Sequence, residues 1–414
     1  MHHLNTLLPL PDMVRLVLEK LNGAGFSAYL VGGCVRDALL GKQPQDWDIT
    51  TSARPEEIEA CFVGHSLVLT GRRHGTVGVI FGKALIEITT YRIDGAYSDH
   101  RHPDAVAFSD RLEEDLARRD FTINAMAWHP QEGLQDYFSG AADLQNGILR
   151  CVGVPARRLR EDALRIVRGA RFACTLGFAI EEQTLSAMLA LCPLLDAVAA
   201  ERVLTELNKA LTGAAFGATF AAMPLLFFRL FRELPPDEAR LQAALCSIEA
   251  PPPSVVLRLA LLFALLAPEP LSAAQAFCTR LRYDRATTKA VLFLLQNKDA
   301  VVAPAAIGVK QWLRQTGAEQ LHLLLNFQNY LYPDYPGTQD AALAVLAQVL
   351  AQEQCYRLAD LAVSGNDLLA QGLPPGKAVG QMLNDLLDAV INGKLPNERE
   401  ALLCAARDKA HGTL

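Results

Sequence analysis

The sequence changes character near residue 154, and this change constrains the fold more than any other feature. Before it, short runs rich in β-branched and aromatic residues are bounded by glycines and separated by helical segments such as "RPEEIEACF". After it, strand signals vanish, and Leu/Ala-rich stretches carry apolar residues three and four apart, as in "EEQTLSAMLALCPLLDAVAA". The sequence therefore predicts an α+β chain, with a mixed sheet and helices first and an all-helical remainder. The predicted strands are Tyr29–Val31, Trp47–Thr51, Leu67–Thr70, Thr76–Phe81 and Leu85–Tyr91.

Size and composition narrow the class of protein. A chain of 414 residues, 51% of them apolar, is long enough for two to four units with separate cores. The net charge of −6 gives no overall attraction for polyanions, so nucleic-acid binding would need a local basic patch. The nine cysteines form no C-x-x-C pair, and no stretch reads as a signal peptide or membrane span. We expect a cytoplasmic protein without zinc or disulfides.

Two aspartates separated by one tryptophan, Asp46 and Asp48, lie in "YLVGGCVRDALLGKQPQDWDITT". Alternate side chains of a strand share a face, so we expect both carboxylates on one face with Trp47 behind them. Such a pair suits Mg²⁺, which takes one or two carboxylates and completes its octahedron with waters and substrate phosphates. A turn or a strand-end cap is the commoner role of an isolated D-x-D.

Glycines precede this pair, and a third carboxylate follows it. Gly32 and Gly33 end one predicted strand and begin the helix that carries Arg36, where backbone amides could approach phosphates. An ordinary strand-to-helix turn is about as common, and neither the P-loop pattern nor G-x-G-x-x-G occurs. Glu87, on the predicted strand "ALIEITTYR", is a candidate third carboxylate, and a solvent-facing strand residue is the equal alternative.

Two arginine-rich segments supply a local basic patch. In "LEEDLARRDFTINAMAWHP", adjacent arginines could clamp phosphates, and the polar candidates are Arg118, Arg119, Asp120 and Asn124. The stretch from residue 150 to 171 contains seven arginines against two acidic residues. If it is helical, four side chains three apart line one side: Asp162, Arg165, Arg168 and Arg171. The alternative is a solvated basic face that pairs with neighbouring helices.

These segments, in this order, closely resemble the class II tRNA nucleotidyltransferases, the CCA-adding enzymes of bacterial type in the polymerase-β-like nucleotidyltransferase superfamily. "LVGGCVRDALLG" through "DWDITT" is similar to their first motif, "RRDFTINAMA" to the second and "DYFSGAADLQNGILR" to the third. "REDALRIVRGARF" is similar to their nucleotide-selecting E-D-x-x-R motif, and "ERVLTEL" to the segment after it. The resemblance is dense over residues 27–210 and thinner beyond.

The resemblance implies roles for these candidates. Asp46 and Asp48 would bind Mg²⁺, with Glu87 as a further catalytic candidate, and Asp162 and Arg165 would read the base of the nucleotide. The remaining nucleotide-binding candidates are Gly32, Gly33, Arg36, Arg118, Arg119, Asp120, Asn124, Arg168 and Arg171. The implied organisation is a polymerase-β-like nucleotidyltransferase head (1–150), a base-selecting neck (151–213), a body (214–302) and a tRNA-binding tail (303–414).

The implied reaction adds C, C and A to the tRNA 3′ end from CTP and ATP, by two-metal transfer without a nucleic-acid template. Both bases offer an amino donor beside a ring-nitrogen acceptor, which suits a carboxylate next to a guanidinium, whereas UTP and GTP present the reverse polarity. The alternatives are an A-adding enzyme or a bacterial poly(A) polymerase, since these relatives share the motifs. The loop "YRIDGAYSDHRHPDAV" resembles the flexible loop that complete CCA-adding enzymes need for the final A.

Overall fold

A computed structural model of the chain describes residues 10–44, 46–95, 106–249, 252–333 and 337–410. Most of the loop "YRIDGAYSDHRHPDAV" lies outside the described residues. The chain divides into two compact units. The first runs through Arg232 and includes Pro236–Leu245 and Arg280–Arg282, and the second includes Glu233–Pro235, Cys246–Thr279 and the residues from 283 onward. The division into head, neck, body and tail stays a prediction.

Eleven strands are present among the described residues, and nine of them lie before residue 140. All five predicted strands are found, with ends shifted by at most two residues. The strands are β1 Ala28–Val31, β2 Asp48–Thr51, β3 Ser66–Val68, β4 Thr76–Phe81, β5 Ala84–Thr90, β6 Arg92–Asp94, β7 Val106–Phe108, β8 Ala127–His129, β9 Gly133–Gln135, β10 Ile148–Leu149 and β11 Ala179–Ile180.

A seven-stranded mixed sheet forms the centre of the N-terminal region, in the order β3-β4-β5-β2-β1-β8-β9. Strand β1 is antiparallel to both of its neighbours, whereas β2 runs parallel to β5, with Asp48 opposite Glu87. All four residues of β1 are buried, which explains its unbroken apolar sequence. Its alternate residues Tyr29 and Val31 join one apolar core cluster with Leu112 and other residues.

Helices account for most of the chain. Those of the sheet region are α1 Asp12–Gly23, α2 Gly33–Leu39, α3 Pro55–Cys61, α4 Leu112–Ala117 and α5 Gly140–Asn146. Those that follow are α6 Pro155–Glu161, α7 Leu164–Leu176, α8 Glu182–Leu191, α9 Ala200–Leu211, α10 Phe216–Ala221, α11 Pro224–Leu230, α12 Glu238–Ile248, α13 Val255–Leu266, α14 Pro270–Leu281, α15 Arg285–Gln296, α16 Ala306–Thr316, α17 Ala318–Leu331, α18 Thr338–Ala351, α19 Gly365–Ala370, α20 Lys377–Ile391 and α21 Arg399–Ala410. The prediction of a mixed sheet followed by a helical remainder is confirmed.

Two predictions need correction. Strand β11 lies beyond residue 154 and pairs in parallel with β10, a two-residue bridge too short to leave a period-two signal. The arginine-rich segment is not one helix, because Asp162 separates α6 from α7 with an extended backbone (φ −143°, ψ 105°). Its Oδ1 accepts a hydrogen bond from Leu164 N at 3.1 Å, a local bond that favours a helix start over helix continuation.

Helix α7 is the main support of the region after the sheet. It packs along α9 and contacts α10, and eight of its thirteen residues are buried. The second unit has separate apolar clusters: one is formed by residues of α16, α17 and α18, and another by residues 355–406. No helix within the described residues is both long and apolar enough to cross a bilayer.

Candidate active site

One cavity of about 530 Å³ in the first unit brings together the candidate residues from distant parts of the sequence. Its lining includes every predicted site residue except Glu87. The lining residues are Gly32, Gly33, Arg36, Asp46, Asp48, Arg118, Arg119, Asp120, Asn124, Asp162, Leu164, Arg165, Arg168, Arg171, Phe172 and Arg202. Its volume lies within the range of small-molecule sites, about 300 to 1,000 Å³.

The carboxylate pair lies where β2 begins. Asp48 is the first residue of the strand, whereas Asp46 precedes it in a bend, so the expectation that both lie on the strand holds only for Asp48. Both side chains are exposed to the cavity. Protein around Asp48 still excludes enough water to raise its pKa, and the charges of Glu87 and Asp46 raise it further, against the opposing effect of Arg119.

This pair fits Mg²⁺ by the chemistry of its donors. Carboxylate oxygens are hard ligands, and the mutual repulsion of Asp46, Asp48 and Glu87 is what a bound divalent cation would relieve. Across the described part of the chain, no group of three or more His, Cys, Asp or Glu side chains is arranged to hold a metal. A site built on two carboxylates leaves positions for water and substrate phosphates, as Mg²⁺ sites usually do.

Gly32 allows an arginine to approach the carboxylate pair. It precedes α2 with φ of 75°, a left-handed conformation that favours glycine. A Cβ there would lie 3.1 Å from Nη1 of Arg119, the arginine whose charge lowers the pKa of Asp48. The glycine therefore allows the turn from β1 into α2 and leaves room for the guanidinium of Arg119.

Asp115 fixes Arg118 and Arg119 by accepting hydrogen bonds from both guanidinium groups. Its side chain is fully buried, and Oδ1 accepts from Nε and Nη2 of Arg118 at 2.9 and 2.8 Å. Its Oδ2 accepts from Nη2 of Arg119 at 3.2 Å and from Oγ1 of Thr50, on strand β2, at 3.1 Å. Burial alone would raise the pKa of Asp115, but both arginine charges and their hydrogen bonds outweigh it and lower the pKa. One carboxylate thus ties the strand of the aspartate pair to two cations.

Asp120 holds Arg168 in the same way. Its Oδ2 accepts two hydrogen bonds from that guanidinium, at 2.9 and 2.7 Å, and its Oδ1 accepts one from Nδ2 of Asn124 at 3.2 Å. Asn124 in turn accepts from Nη1 of Arg36 at 2.7 Å. Asp120 is almost fully buried at the wall of the cavity, and its carboxylate supports the guanidinium of Arg168 there.

Phe172 is surrounded by cations. Its ring centroid lies 3.7 Å from the guanidinium carbon of Arg171, 5.2 Å from that of Arg36 and 5.6 Å from that of Arg168. Arginines within about 6 Å of a ring face are attracted by its quadrupole. Nε of Arg171 also lies 2.6 Å from Oε2 of Glu206, on α9, as an ion pair whose N–H does not point at the oxygen.

The predicted base-reading residues Asp162 and Arg165 line the cavity, and each has a hydrogen-bonding position that no described residue occupies. Three described contacts occupy Asp162: Leu164 N on Oδ1, and a fork from Arg202 that reaches Oδ1 at 3.3 Å and Oδ2 at 2.8 Å. Arg165 donates from Nη1 to the Arg158 carbonyl at 2.9 Å and from Nη2 to the Arg118 carbonyl at 3.1 Å. Its Nε has no described hydrogen-bond partner.

Arg165 also pairs with Glu161, its Nη1 lying 2.9 Å from Oε2. A carboxylate has about four acceptor sites, and three of those of Asp162 are occupied, so one site on Oδ2 stays open. The neighbouring guanidinium of Arg165 is held in place by its bonds to two backbone carbonyls.

Sequence reasoning missed the residues that position the site. Asp115, Arg202, Glu206 and Phe172 contact predicted site residues, yet none was singled out. For Arg202 and Glu206 a signal existed: they stand four apart in "ERVLTEL", so both lie on one side of a helix. Their partners lie 35 to 40 residues earlier in the sequence, and local patterns do not reveal such pairs.

Comparison with known proteins defines the class first. A family model described as the poly A polymerase head domain matches residues 28–150, which hold the seven-stranded sheet and the carboxylate pair. A model described as a probable RNA and SrmB-binding site of polymerase A matches residues 177–226. A third, described as tRNA nucleotidyltransferase domain 2, putative, matches residues 258–406. The protein is thus a nucleotidyltransferase whose three matched segments extend over both units.

Relatives that align with this chain over nearly its whole length then identify the family. The CCA-adding enzyme of Lactiplantibacillus plantarum is 37% identical over 399 residues, 94% of each chain, and that of Lacticaseibacillus paracasei is 37% identical over 403 residues, 96% of each. The chain therefore belongs to the CCA-adding enzymes, a family of tRNA nucleotidyltransferases, as the sequence motifs predicted.

Solved structures agree with this assignment. The crystal structure of the Bacillus stearothermophilus CCA-adding enzyme in complex with CTP is 28% identical, with a TM-score of 0.78 over 98% of this chain and 99% of that one. The Thermotoga maritima CCA-adding enzyme complexed with tRNA_CCA is 21% identical and has a TM-score of 0.67, which shows that the fold is shared.

Proposed function

We propose that the chain adds C, C and A stepwise to the 3′ end of tRNA from CTP and ATP, without a nucleic-acid template. The observation that carries this proposal is a single cavity that joins the Asp46 and Asp48 pair, a cluster of arginines, and Asp162 with Arg165. Such a cavity offers a place for metal, for phosphates and for a base. The relatives named CCA-adding enzyme, which align with this chain over nearly their whole length, support the same reaction.

In the proposed reaction, the 3′ hydroxyl of tRNA loses its proton to solvent as its oxygen attacks the α-phosphorus of the nucleotide. The bond between the α-phosphorus and the oxygen that bridges to the β-phosphorus breaks, and pyrophosphate leaves. Two Mg²⁺ ions held by Asp46 and Asp48 would supply Lewis acidity at the attacking oxygen and neutralise charge on the leaving group. Glu87, opposite Asp48 on the neighbouring strand, adds negative charge that favours cation binding there.

The arginines of the cavity would bind the triphosphate. Asp115 holds Arg118 and Arg119 next to the carboxylate pair, and Asp120 holds Arg168, so their guanidinium groups need little reordering when phosphates arrive. Arg36 and Arg171, whose guanidinium carbons lie 5.2 and 3.7 Å from the centroid of the Phe172 ring, would extend this cationic surface.

Asp162 and Arg165 would select the base by hydrogen-bond polarity. Asp162 accepts from the amino group of C or A, and Arg165 donates to the adjacent ring nitrogen. UTP and GTP would put a carbonyl against the carboxylate, and each mispaired buried polar group costs about 1 to 3 kcal/mol. Selection by two side chains would make a nucleic-acid template unnecessary.

We also propose the division into head (1–150), neck (151–213), body (214–302) and tail (303–414), with the tail binding tRNA. The family match that ends at residue 150 supports the end of the head, whereas the matches over 177–226 and 258–406 cross the proposed boundaries at 213 and 302. The solved complex of a relative with tRNA supports the binding of tRNA. A cytoplasmic location is part of the same proposal, and it is supported by nine cysteines that form no disulfide in the described structure.

A ladder of tRNA transcripts tests the reaction. Transcripts ending before the first C, after one C and after two C are offered with each nucleotide separately, and products are resolved by length. We expect C on the first two transcripts, A on the third only, and no addition beyond A. A on the third transcript alone, with no C addition, would mean an A-adding enzyme. The family descriptions that name polymerase A keep a poly(A) polymerase as second candidate, and long A tracts would identify it.

A further inference from the structure

One aromatic ring, that of Phe172 on helix α7, lies among the arginines of the active-site cavity. It is the only aromatic side chain among the described residues that line this cavity, and it is 3% exposed. The guanidinium carbons of Arg171, Arg36 and Arg168 lie 3.7, 5.2 and 5.6 Å from its centroid. Each lies within the distance of about 6 Å at which the negative face of a ring attracts a cation. One ring therefore contacts three cations at once.

The three cations that surround Phe172 repel one another. Burial lowers the pKa of the Arg171 guanidinium, an effect that the charge of Glu206 opposes. The charges of Arg168 and Arg36 lower this pKa further, because like charges in a partly desolvated site disfavour each other. Before an anion binds, this repulsion works to move the guanidinium groups apart. A ring that attracts all three of them offsets the repulsion.

Hydrogen bonds alone do not hold all three cations. Arg36 and Arg168 each donate hydrogen bonds to a buried side chain. Arg171, in contrast, donates no side-chain hydrogen bond to any described residue. Its Nε lies 2.6 Å from Oε2 of Glu206, but the N–H does not point at that oxygen. The ion pair attracts Arg171 without fixing its direction, so its position depends on the ring of Phe172, 3.7 Å away.

The ring of Phe172 is itself held in place. It packs edge to face against Phe121, with ring centroids 5.8 Å apart and an interplanar angle of 79°. Phe121 is fully buried, and helix α7 has eight of its thirteen residues buried. The ring cannot turn away from the cations without disturbing this packing. Its face is thus available to the arginines before any nucleotide arrives.

We infer that Phe172 is a positioning residue of the triphosphate site, whose ring face holds Arg171 and keeps the three guanidinium groups together against their mutual repulsion. The inference rests on the proposed binding of the triphosphate by these arginines. All four nucleotides carry the same phosphates, so Phe172 should affect nucleotide affinity without affecting the choice of base.

The experiment replaces Phe172 in turn with mono-, di-, tri- and pentafluorinated phenylalanine. Fluorine withdraws electron density from the ring face and weakens its attraction for cations, with little change in shape. The readouts are KM and kcat for CTP on tRNA that lacks the three terminal nucleotides, and for ATP on tRNA that ends in CC. The ratio of kcat/KM for CTP against UTP reports on base choice. Circular dichroism and thermal melting establish that each protein is folded.

The matched control is the same series at Phe220. This ring is also fully buried and packs on Phe216 and Phe227, and no described guanidinium lies over it. A second comparison repeats the Phe172 series in the background of Arg171→Gln, which removes the cation nearest to the ring.

We expect KM for CTP and ATP to rise with each added fluorine at Phe172, to about tenfold for the pentafluorinated ring, or about 1.4 kcal/mol. The value of kcat should change less than about twofold, and the ratio of CTP to UTP should stay at its original value. In the Arg171→Gln background the dependence on fluorine should become weaker. Fluorination of Phe220 should leave KM unchanged.

A KM that does not depend on fluorination in folded proteins would overturn the inference, because Phe172 would then act by its size alone. Equal effects at Phe172 and Phe220 that follow the melting temperature would overturn it as well, since both would reflect packing. Should the pentafluorinated protein fail to fold, the mono- and difluorinated proteins give the same decision. An unchanged KM in Arg171→Gln would instead refute the proposed binding of phosphates by Arg171, which separates failure of the proposed function from failure of this inference.

Discussion

At the scale of single residues, the site consists of cavity-facing groups and of buried groups that hold them. Asp46 and Asp48 belong to the first kind, because both are exposed to the cavity and neither forms a described salt bridge. Asp115 and Asp120 belong to the second, because they are buried and their oxygens accept hydrogen bonds from arginines. Substitutions of the two kinds should therefore have different consequences for activity and stability.

Changing Asp46 or Asp48 to Asn should nearly abolish incorporation of both C and A while leaving thermal stability close to wild type. Asn keeps the size of the side chain but removes the charge that a divalent cation needs. Incorporation is measured under single-turnover conditions with saturating Mg²⁺, and folding by melting. A variant with near-normal rates would remove these residues from the metal site.

Asp115→Asn should act on nucleotide binding, because Asp115 orients two arginines and contacts none of the reacting atoms. We expect KM for CTP and ATP to rise by about tenfold, with a smaller fall in kcat, and the melting temperature to fall because buried arginine charge loses its partner. Glu113→Gln, on the same helix but exposed and paired with Arg111, is the control. A fall in both kcat and the melting temperature, without a change in KM, would indicate a structural role only.

At the scale of helices and strands, local pattern was sufficient where a β-rich run is bounded by glycines. The strand Thr76–Phe81 has the predicted bounds, because Gly75 and Gly82 flank it on either side. Pattern was insufficient at Asp162: the spacing by three places four side chains on one side only if the segment is one helix, but the Asp side chain bonds to the backbone two residues on and a new helix begins there. Helix boundaries of this kind depend on one hydrogen bond that periodicity does not encode.

The candidate site was predictable in its cavity-facing residues and, apart from Asp120, not in their supports. Motif spacing and family resemblance identified Asp162 and Arg165, and the cavity contains both. The pairing of Arg202 with Asp162 arises instead from the packing of α9 on α7. A contact across 40 residues is a property of tertiary structure, so no local pattern announces it.

The packing of α9 on α7 makes a prediction for Gly213, just after α9. A Cβ at this position would lie 2.6 Å from the carbonyl carbon and oxygen of Cys174, in α7. Gly213→Ala should therefore destabilise the protein by about 1 to 3 kcal/mol and lower the C-over-U ratio, since α9 carries Arg202. Unfolding in urea and kcat/KM ratios measure both effects.

Gly380→Ala is the control for this substitution. Gly380 is an exposed residue of helix α20, and a Cβ added there would meet nothing within 4 Å, so alanine should stabilise the protein by about 0.5 to 1 kcal/mol. Stability and selectivity both unchanged in Gly213→Ala would show that the contact between the two helices can relax.

At the scale of the whole molecule, charge is distributed unevenly. The chain has a net charge of −6, yet seven arginines and four aspartates line the cavity, and further carboxylates lie behind those arginines. The first unit therefore combines a cationic surface for polyanions with buried ion pairs that depend on ionised carboxylates. Its stability should respond to acid through those pairs.

Asp120 is the clearest example of a buried carboxylate whose ion pair should make stability depend on pH. Burial works to raise its pKa, but the charge of Arg168, hydrogen bonds from Arg168 and Asn124, and the charge of Arg165 together hold the pKa well below its usual range. A carboxyl group with a depressed folded-state pKa stabilises the protein fully above its unfolded pKa, near about 4. That stabilisation is lost as pH falls from there toward the folded-state pKa. The unfolding free energy should thus fall by about 1.4 kcal/mol per pH unit for each such carboxylate below about pH 4.

Urea unfolding between about pH 7 and pH 3 measures this dependence, in a Trp312→Phe background so that fluorescence reports on the two tryptophans of the first unit, Trp47 and Trp128. Asp120→Asn should be less stable than the parent at neutral pH, because Arg168 loses its partner, and its unfolding free energy should vary less below about pH 4. Asp110→Asn, which removes an exposed carboxylate, should keep the parental dependence. Parallel curves for Asp120→Asn and its parent would show that Asp120 does not carry the acid sensitivity of this unit.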